Sequence, residues 1–167
     1  RAAVFVLGID LGEIVESRIL PSHLRQKDKD DKLGILDVWV LLNNKEQIDI
    51  EIQVTASEYW AERTLFYLGK MFTDQLKPGE DYQKLEKCIH IGILNFTMFE
   101  DEEYYSCFHF WSDQGRKMYS DKVEIHTLEL PKLAKYEYPE TELLKWLQFI
   151  NAETKEEFEM AAEKRIY

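Results

Sequence analysis

Three polar side chains have the types and spacing of a site that binds a divalent cation and hydrolyses a phosphodiester. Asp37 lies in one β-rich segment, and Glu51 and Gln53 lie in the next, across a short polar turn. Carboxylate oxygens are the ligands that Mg²⁺ prefers, and bound Mg²⁺ activates water and stabilises the anion that forms at phosphorus. Taken alone, the pattern favours a partly exposed cross-strand pair of polar residues, so the surrounding elements must decide between the two interpretations.

Alternating apolar and polar residues predict that a β-hairpin carries this site. The alternation runs from Leu33 to Leu42 and again from Gln47 to Val54, with the period of two that strands require. The first segment is apolar on both faces, which predicts a strand covered on two sides. The second has one apolar face, and its polar face carries Asp49 together with Glu51. Asp49 is either solvent-exposed or an accessory ligand.

The register of this hairpin decides whether the two carboxylates meet. Directly paired residues point to the same face of a sheet, so the loop must have an odd number of residues. A three-residue loop, Asn43–Lys45, pairs Leu42 with Glu46 and therefore Asp37 with Glu51, with Cβ atoms about 5 Å apart. A four-residue loop would separate the carboxylates onto opposite faces and exclude the site.

A helix is predicted directly after the second strand. Thr55-Ala-Ser-Glu58 fits a capping box, and the helix is expected from about Ser57 to Leu76, before Lys77-Pro78-Gly79. The side chains expected to pack are Trp60, Leu65, Leu68, Phe72 and Leu76. A polar and aromatic stripe at helical spacing is formed by Tyr59, Arg63, Tyr67 and Lys70. We expect this stripe to lie across the mouth of the carboxylate site.

Composition and charge predict one folded domain and exclude some classes of function. The chain has 167 residues, 45% of them apolar, which suits a single domain with a real core. No apolar segment approaches the ~18 residues of a membrane span, and no signal peptide is apparent, so a cytoplasmic protein is expected. The net charge of −11 argues against nucleic-acid binding through electrostatic attraction alone. A bound divalent cation would reverse the potential locally.

The remaining segments predict a mixed α/β domain. Expected strands are Leu85–Phe96, Tyr104–Trp111 and Val123–Leu130, with the acidic segment Glu100–Glu103 as a hairpin loop between the first two. Expected helices are Glu140–Ile150 and Thr154–Lys164, with a break near Asn151; Arg1–Val6 is a short helix or strand, and Gln26–Lys32 is a charged loop. Cys88 and Cys107 are expected to be reduced thiols in the core. His90 and His109 are expected to be core histidines, and the aromatic residues of 104–111 to be core before they are a base-stacking surface.

The chain resembles the PD-(D/E)XK nuclease superfamily, specifically its Rpn-type group of recombination-promoting nucleases and transposases. The resemblance is carried by Leu36-Asp37-Val38, Ile50-Glu51-Ile52-Gln53, Arg63-Thr-Leu-Phe-Tyr67-Leu, Gly79-Glu80-Asp81-Tyr82 and Cys88–Leu94. It implies a restriction-endonuclease-like core, in which helices flank a central mixed β-sheet. The superfamily's acidic N-terminal helix and the group's C-terminal extension are not recognised, and the chain starts at Arg1, so residues 1–167 are expected to be one domain truncated at both ends.

The resemblance also implies roles for individual residues. Asp37, Glu51 and the backbone carbonyl of Ile52 would bind Mg²⁺, or Mn²⁺ as the alternative. Gln53 stands where the wider superfamily has Lys, although Gln is usual in this group; it would orient the attacking water, because an amide cannot act as a base. Arg63 and Tyr67 would contact phosphate, unless they form a structural pair. Asp49, Tyr59 and Lys70 are accessory candidates.

Three functions follow from these residues. The first is a Mg²⁺-dependent DNA endonuclease acting in recombination or transposition. The second is a nuclease-derived module that is weakly active or inactive and binds protein or nucleic acid, as the charge of −11 and Gln53 suggest. The third, compatible with either, is a homodimer formed through exposed apolar strands.

Overall fold

Six strands form one mixed sheet in the computed structural model, which describes residues 2–24, 36–43, 45–152 and 154–163. The strands are β1 (Ser17–Leu20), β2 (Val38–Leu42), β3 (Glu46–Gln53), β4 (Cys88–Leu94), β5 (Tyr105–Trp111) and β6 (Met118–Glu129), and their spatial order is β1-β2-β3-β4-β6-β5. The helices of the described residues are α1 (Ala2–Leu7), α2 (Trp60–Thr73), α3 (Glu142–Ile150) and α4 (Lys155–Glu163). The predicted fold class, a central mixed sheet flanked by helices, is confirmed.

The β2–β3 hairpin has the predicted register. Leu42 pairs with Glu46 across a three-residue loop, and Asn43 has the positive φ of 50° that a tight turn needs. β2 begins only at Val38, which is 40% exposed because β2 lies beside the edge strand β1 and not over the core. The prediction that this strand is covered on both faces is therefore only partly correct. Residues 25–35 and Asn44, which include the charged loop and the start of the predicted strand, lie outside the described residues.

Two apolar layers cover the sheet, one on each face. Isoleucines of β3 and β4 pack on the first face with α1 and α3, through residues that include Val6 and Leu147. On the second face α2 packs against Leu36, Cys88 and their neighbours. β4 is buried along its whole length, as expected of a parallel strand between two neighbours.

Helix α2 is shorter and rotated relative to the prediction. Trp60 N donates to Ser57 O at 3.2 Å, so residues 57–60 form a turn, and the N-cap position Tyr59 makes no side-chain cap. The predicted capping box is therefore wrong. The buried positions of α2 are Trp60, Thr64, Leu68 and Met71. Leu65, which was expected to pack, is 52% exposed, because it lies one residue away from this helical stripe.

The predicted hairpin between β4 and β5 is wrong. β6 pairs in parallel with β4 and antiparallel with β5, so β5 lies at the sheet edge. The acidic segment is held near the end of β6 by the buried Lys132, whose Nζ donates to Asp101 Oδ1 and Glu103 O, both at 2.9 Å. Cys107, on this edge strand, is exposed, so the expectation that it is a core thiol is wrong; Cys88 is buried as expected, and both thiols are free.

The C-terminal helices agree with the prediction to within two residues at their described ends. Thr141 caps α3 by accepting a hydrogen bond from Leu144 N, and Asn151 is its C-cap, which confirms the break near Asn151. Lys164, the expected end of the last helix, lies outside the described residues. In the part of the chain that the structure describes, no helix combines the length and apolar character needed to cross a membrane.

Candidate active site

Strand β3 places three polar side chains on the face that α2 covers. Side chains alternate along a strand, so Asp49, Glu51 and Gln53 share this face while the isoleucines between them point away. Asp49 is fully buried and Glu51 is 7% exposed; Gln53 is half-buried. The expectation that Asp49 is solvent-exposed is wrong, because the neighbouring strand β4 and helix α2 cover it.

Strand β4 brings a histidine and a glycine alongside these carboxylates. The parallel register sets His90 beside Asp49 and Gly92 beside Glu51. His90 is buried, as expected, and its Nδ1 lies 2.7 Å from Asp49 Oδ2. Because a carboxylate only accepts hydrogen bonds, Nδ1–H is the donor. This buried pair fixes the orientation of the imidazole ring.

Arg63 connects the first turns of α2 to the strand residues. Its Nη2 donates to Glu51 Oε1 at 2.6 Å and to Gln53 Oε1 at 2.7 Å. Its guanidinium also lies 4.8 Å from the ring centroid of Trp60, within the range of a cation–π contact. Gln53 Nε2 donates to Thr55 O at 2.7 Å. Arg63 therefore pairs with Glu51 and fixes the Gln53 amide at the same time.

Asp37 is the residue immediately before β2, and it is exposed at the edge of the group formed by Asp49, Glu51 and Gln53. Continuing the β2–β3 register by one residue sets it opposite Glu51, on the same face of the sheet. Its Oδ2 accepts a hydrogen bond from Ile52 N at 3.2 Å. The geometry that would have excluded the site, with the two carboxylates on opposite faces, is absent from this hairpin.

Burial dominates the electrostatics of Glu51. It raises the pKa of the carboxyl above its ordinary value, and the charge of Arg63 opposes this change without cancelling it. The negative charges of Asp49 and Asp37 raise the pKa further, whereas His90 lowers it. A raised pKa indicates that the carboxylate has less positive charge around it than its burial demands, which is the condition that a bound cation relieves.

The donor set fits a divalent cation. Asp49, Glu51 and His90 each offer a ligand atom within 4.8 Å of the other two. One oxygen of Glu51, Oε2, is buried and has no hydrogen-bond partner among the described residues. Sequence patterns predicted Glu51 as a metal ligand but His90 only as a core histidine. The pairing of β3 with β4 brings His90 beside Asp49, and neither strand alone indicates that pairing.

The other members of the predicted helical stripe lie away from Glu51. Tyr67 packs against the apolar layer that contains Leu36 and Leu68. Tyr59 is exposed at the N-cap of α2, and Lys70 Nζ lies 5.4 Å from the Phe66 ring centroid. Within the stripe, the side chain that contacts Glu51 is that of Arg63.

Comparison with known proteins identifies one family. The family described as PD-(D/E)XK nuclease family transposase matches residues 5–166, which is nearly the whole chain. No curated protein and no solved structure matches the chain.

Proposed function

The chain belongs to the PD-(D/E)XK nuclease family transposases, and from that premise we propose that it is a Mg²⁺-dependent DNA endonuclease acting in recombination or transposition. The observation that carries the proposal is the environment of Glu51. Its carboxylate is buried, has one oxygen without a partner among the described residues, and lies on the same face as Asp37 and beside Arg63. A structural carboxylate would be expected to have both oxygens satisfied.

Asp37, Glu51 and the backbone carbonyl of Ile52 would hold the cation. When bound, such a cation lowers the pKa of a coordinated water and neutralises charge on the phosphate. The two carboxylates contribute negative charge at one point, and Asp37 is exposed where Glu51 is buried. An incoming DNA backbone can therefore reach the site from the Asp37 side.

Arg63 would exchange its partners when DNA binds. In the structure its guanidinium satisfies Glu51 and Gln53, so it occupies the position that a positive charge must fill. A guanidinium forms paired hydrogen bonds with phosphate as readily as with carboxylate. Transfer of Arg63 to phosphate would release the Gln53 amide oxygen, which could then accept a hydrogen bond from the attacking water and hold it in line.

One observation favours the second candidate, a module that binds protein or nucleic acid without cutting. The Arg63–Glu51 ion pair already sets one positive charge beside Glu51, and Gln53 supplies no general base. A protein that had lost catalysis would keep such a pair to stabilise its fold. The same assay separates both candidates.

The decisive experiment is cleavage of supercoiled plasmid in Mg²⁺ or Mn²⁺ by the wild type, Asp37→Asn and Glu51→Gln. Glu124→Gln is the matched control, because Glu124 is also largely buried but lies on the opposite face of the sheet. We expect the wild type and the control to nick the plasmid and the two site variants to lose this activity, with all four folded by circular dichroism. If the wild type cuts no better than Glu51→Gln, the proposal is wrong.

A further inference from the structure

Three buried atoms without hydrogen-bond partners lie on neighbouring residues of β3 and β4. They are Asp49 Oδ1, Glu51 Oε2 and His90 Nε2, and none has a partner among the described residues. An unsatisfied buried polar atom is unfavourable, so three of them on adjacent residues call for a partner. Each residue offers a ligand atom within 4.8 Å of the others. A single cation would satisfy all three residues.

The Asp49–His90 contact prepares the imidazole as a ligand. Nδ1–H donates to Asp49 Oδ2 at 2.7 Å, which leaves the lone pair of a neutral ring on Nε2. Nε2 lies 3.3 Å from the position that a Cβ on Gly92 would take, and Gly92 is the residue paired with Glu51. The lone-pair nitrogen therefore lies close to the strand position beside Glu51.

Gly92 allows the indole of Trp60 to lie against β4. A Cβ on Gly92 would lie 2.8 Å from Trp60 Cζ2 as well as close to His90 Nε2. Any other residue would displace the indole of Trp60, whose ring lies 5.7 Å from that of His90. The glycine thus allows an aromatic side chain to cover the strand position beside Glu51 and His90.

The hydrogen-bond donors that the structure describes satisfy only one oxygen of each carboxylate. Arg63 contacts Glu51 through Oε1, and His90 contacts Asp49 through Oδ2, so the second oxygen of each carboxylate is unsatisfied among the described residues. Asp49 and His90 are 0% and 1% exposed, which excludes bulk solvent as their partner. A buried water would satisfy such atoms in part, but it would not supply charge.

We propose that Asp49, Glu51 and His90 form an inner cation site, distinct from the outer Asp37–Glu51 site and sharing Glu51 with it, that prefers a transition-metal ion such as Mn²⁺ to Mg²⁺. The imidazole decides the preference, because Mg²⁺ selects oxygen ligands whereas first-row transition metals bind nitrogen as well. Three protein ligands leave coordination positions free, as in sites that act on a substrate. The catalytic meaning of the inner site rests on the proposed nuclease function; its occupancy does not.

The test is a Mn²⁺ titration of the full chain followed by electron paramagnetic resonance, without DNA. We expect two bound ions for the wild type, one for His90→Gln, one for Asp37→Asn and none held tightly by Glu51→Gln. The ion lost in His90→Gln should bind at least about 10- to 100-fold more weakly, because removing a ligand costs no less than removing the hydrogen-bond partner of a ligand. Mg²⁺ should displace the outer ion at lower concentration than the inner one. His109→Gln is the matched control and should bind as the wild type does.

A second readout covers the case in which His90→Gln fails to fold. Pulsed resonance of wild-type protein loaded with Mn²⁺ should detect a histidine nitrogen bound to the ion, and the signal should persist in His109→Gln. Equal stoichiometry in His90→Gln, or no nitrogen signal in the wild type, would overturn the inner site and leave a buried water as the partner of these atoms. A nitrogen signal in a protein that cuts no DNA would uphold the inner site while the nuclease proposal fails.

Discussion

The two faces of the sheet carry two polar clusters that differ in how well their atoms are satisfied. One is the Asp49 cluster (Asp49, Glu51 and His90), and the other is the Glu124 cluster (Cys107, His109, Glu124 and His126). By composition the Glu124 cluster is closer to a typical transition-metal site, since Cys-x-His on β5 faces Glu-x-His on β6. Yet among the described residues the group whose ligand atoms all lie within 4.8 Å of one another is the Asp49 cluster.

The polar groups of the Glu124 cluster are satisfied by each other and by neighbouring side chains. Lys87 Nζ lies 2.6 Å from Glu124 Oε1, and two histidines also contact the carboxylate, His109 at 3.1 Å and His126 at 3.3 Å. Tyr105 Oη lies 2.9 Å from His126 Nδ1. The residue types of the Glu124 cluster, Cys, His and Glu, are all common metal ligands. Unsatisfied atoms are the better indicator, because they show where a positive charge is still required.

The pKa values of the two glutamates shift in opposite directions, in agreement with this difference between the clusters. Burial raises the pKa of Glu51, and Arg63 does not restore it. Burial also acts to raise the pKa of Glu124, but hydrogen bonds from Lys87, His109 and His126 outweigh it and lower the pKa below its ordinary value. The side chains are similarly covered, at 9% and 13% exposure. The number of donors around each carboxylate therefore decides the direction.

The largest expected difference between the clusters is in DNA cleavage after each loses its main positively charged side chain, Arg63 or Lys87. Arg63→Met should slow cleavage about 10²- to 10³-fold, the usual cost of removing one donor to the charge that develops in a transition state. Lys87→Met should leave the rate unchanged, because its partner Glu124 lies on the opposite face. The measurement is single-turnover nicking in saturating Mg²⁺.

Mn²⁺ affinity distinguishes this role of Arg63 from a merely structural one. Arg63 and a cation compete for Glu51, so Arg63→Met should bind Mn²⁺ at least as tightly as the wild type while cutting slowly. A parallel loss of cleavage and metal affinity would show that Arg63 only supports the fold of the site. Equal cleavage by Arg63→Met and Lys87→Met would remove the functional distinction between the two clusters.

The next effect is on stability. In EDTA both Arg63→Met and Lys87→Met should lower the free energy of unfolding by about 1–3 kcal/mol, since each leaves a largely buried carboxylate without its main partner. Saturating Mn²⁺ should reduce the deficit of Arg63→Met relative to the wild type, because the ion replaces the lost charge beside Glu51. The deficit of Lys87→Met should persist. Urea denaturation with and without Mn²⁺ measures both, and an equal response of the two variants would contradict the comparison.

The hairpin that carries Glu51 could be predicted because its determinants are local. Alternation fixes which side chains share a face, and loop length fixes the register, so the pairing of Leu42 with Glu46 followed from residues only four apart. The family was likewise recognisable from short motifs, and the match over residues 5–166 confirms it. The roles assigned to Asp37, Gln53, Arg63 and Tyr67 remain predictions.

The pairing of Asp49 with His90 could not be predicted because it is set by long-range strand pairing. Three strongly apolar segments follow α2, and nothing in their composition shows that the last of them inserts between the other two. His90 reaches Asp49 only through the parallel register of β3 and β4, 41 residues apart in sequence. The buried Lys132, which holds the acidic segment in place, also gave no local signal.

A smaller effect tests the space beside His90. Gly92→Ala should destabilise the protein by about 1–3 kcal/mol, the usual cost of overpacking a core, since its Cβ would lie 2.8 Å from Trp60 Cζ2. Gly69→Ala is the matched control, because a Cβ there meets nothing within 4 Å and a helix interior favours Ala by about 1 kcal/mol. Thermal denaturation should therefore give opposite signs for the two variants. A neutral Gly92→Ala that still binds Mn²⁺ normally would show that the space is not needed.

The smallest expected effect is the opposite pH dependence of the two glutamates in EDTA. The pKa of Glu124 is lowered in the folded protein, so its contribution to stability is present above the ordinary value of 4.5 and is lost as the pH falls toward the folded pKa. The pKa of Glu51 is raised, so its ionised form penalises folding at neutral pH, and the penalty is relieved as the pH falls through the folded pKa toward 4.5. Glu124→Gln should therefore reduce the loss of stability as the pH falls below 4.5. Glu51→Gln should instead increase the loss of stability as the pH falls toward 4.5. Urea denaturation at a series of pH values on both sides of 4.5 measures both effects. Because His126, whose pKa burial lowers, contacts Glu124, both variants are compared in a His126→Gln background. Slopes that change in the same direction would show that Glu51 is as well neutralised as Glu124, and the case for a cation beside it would be lost.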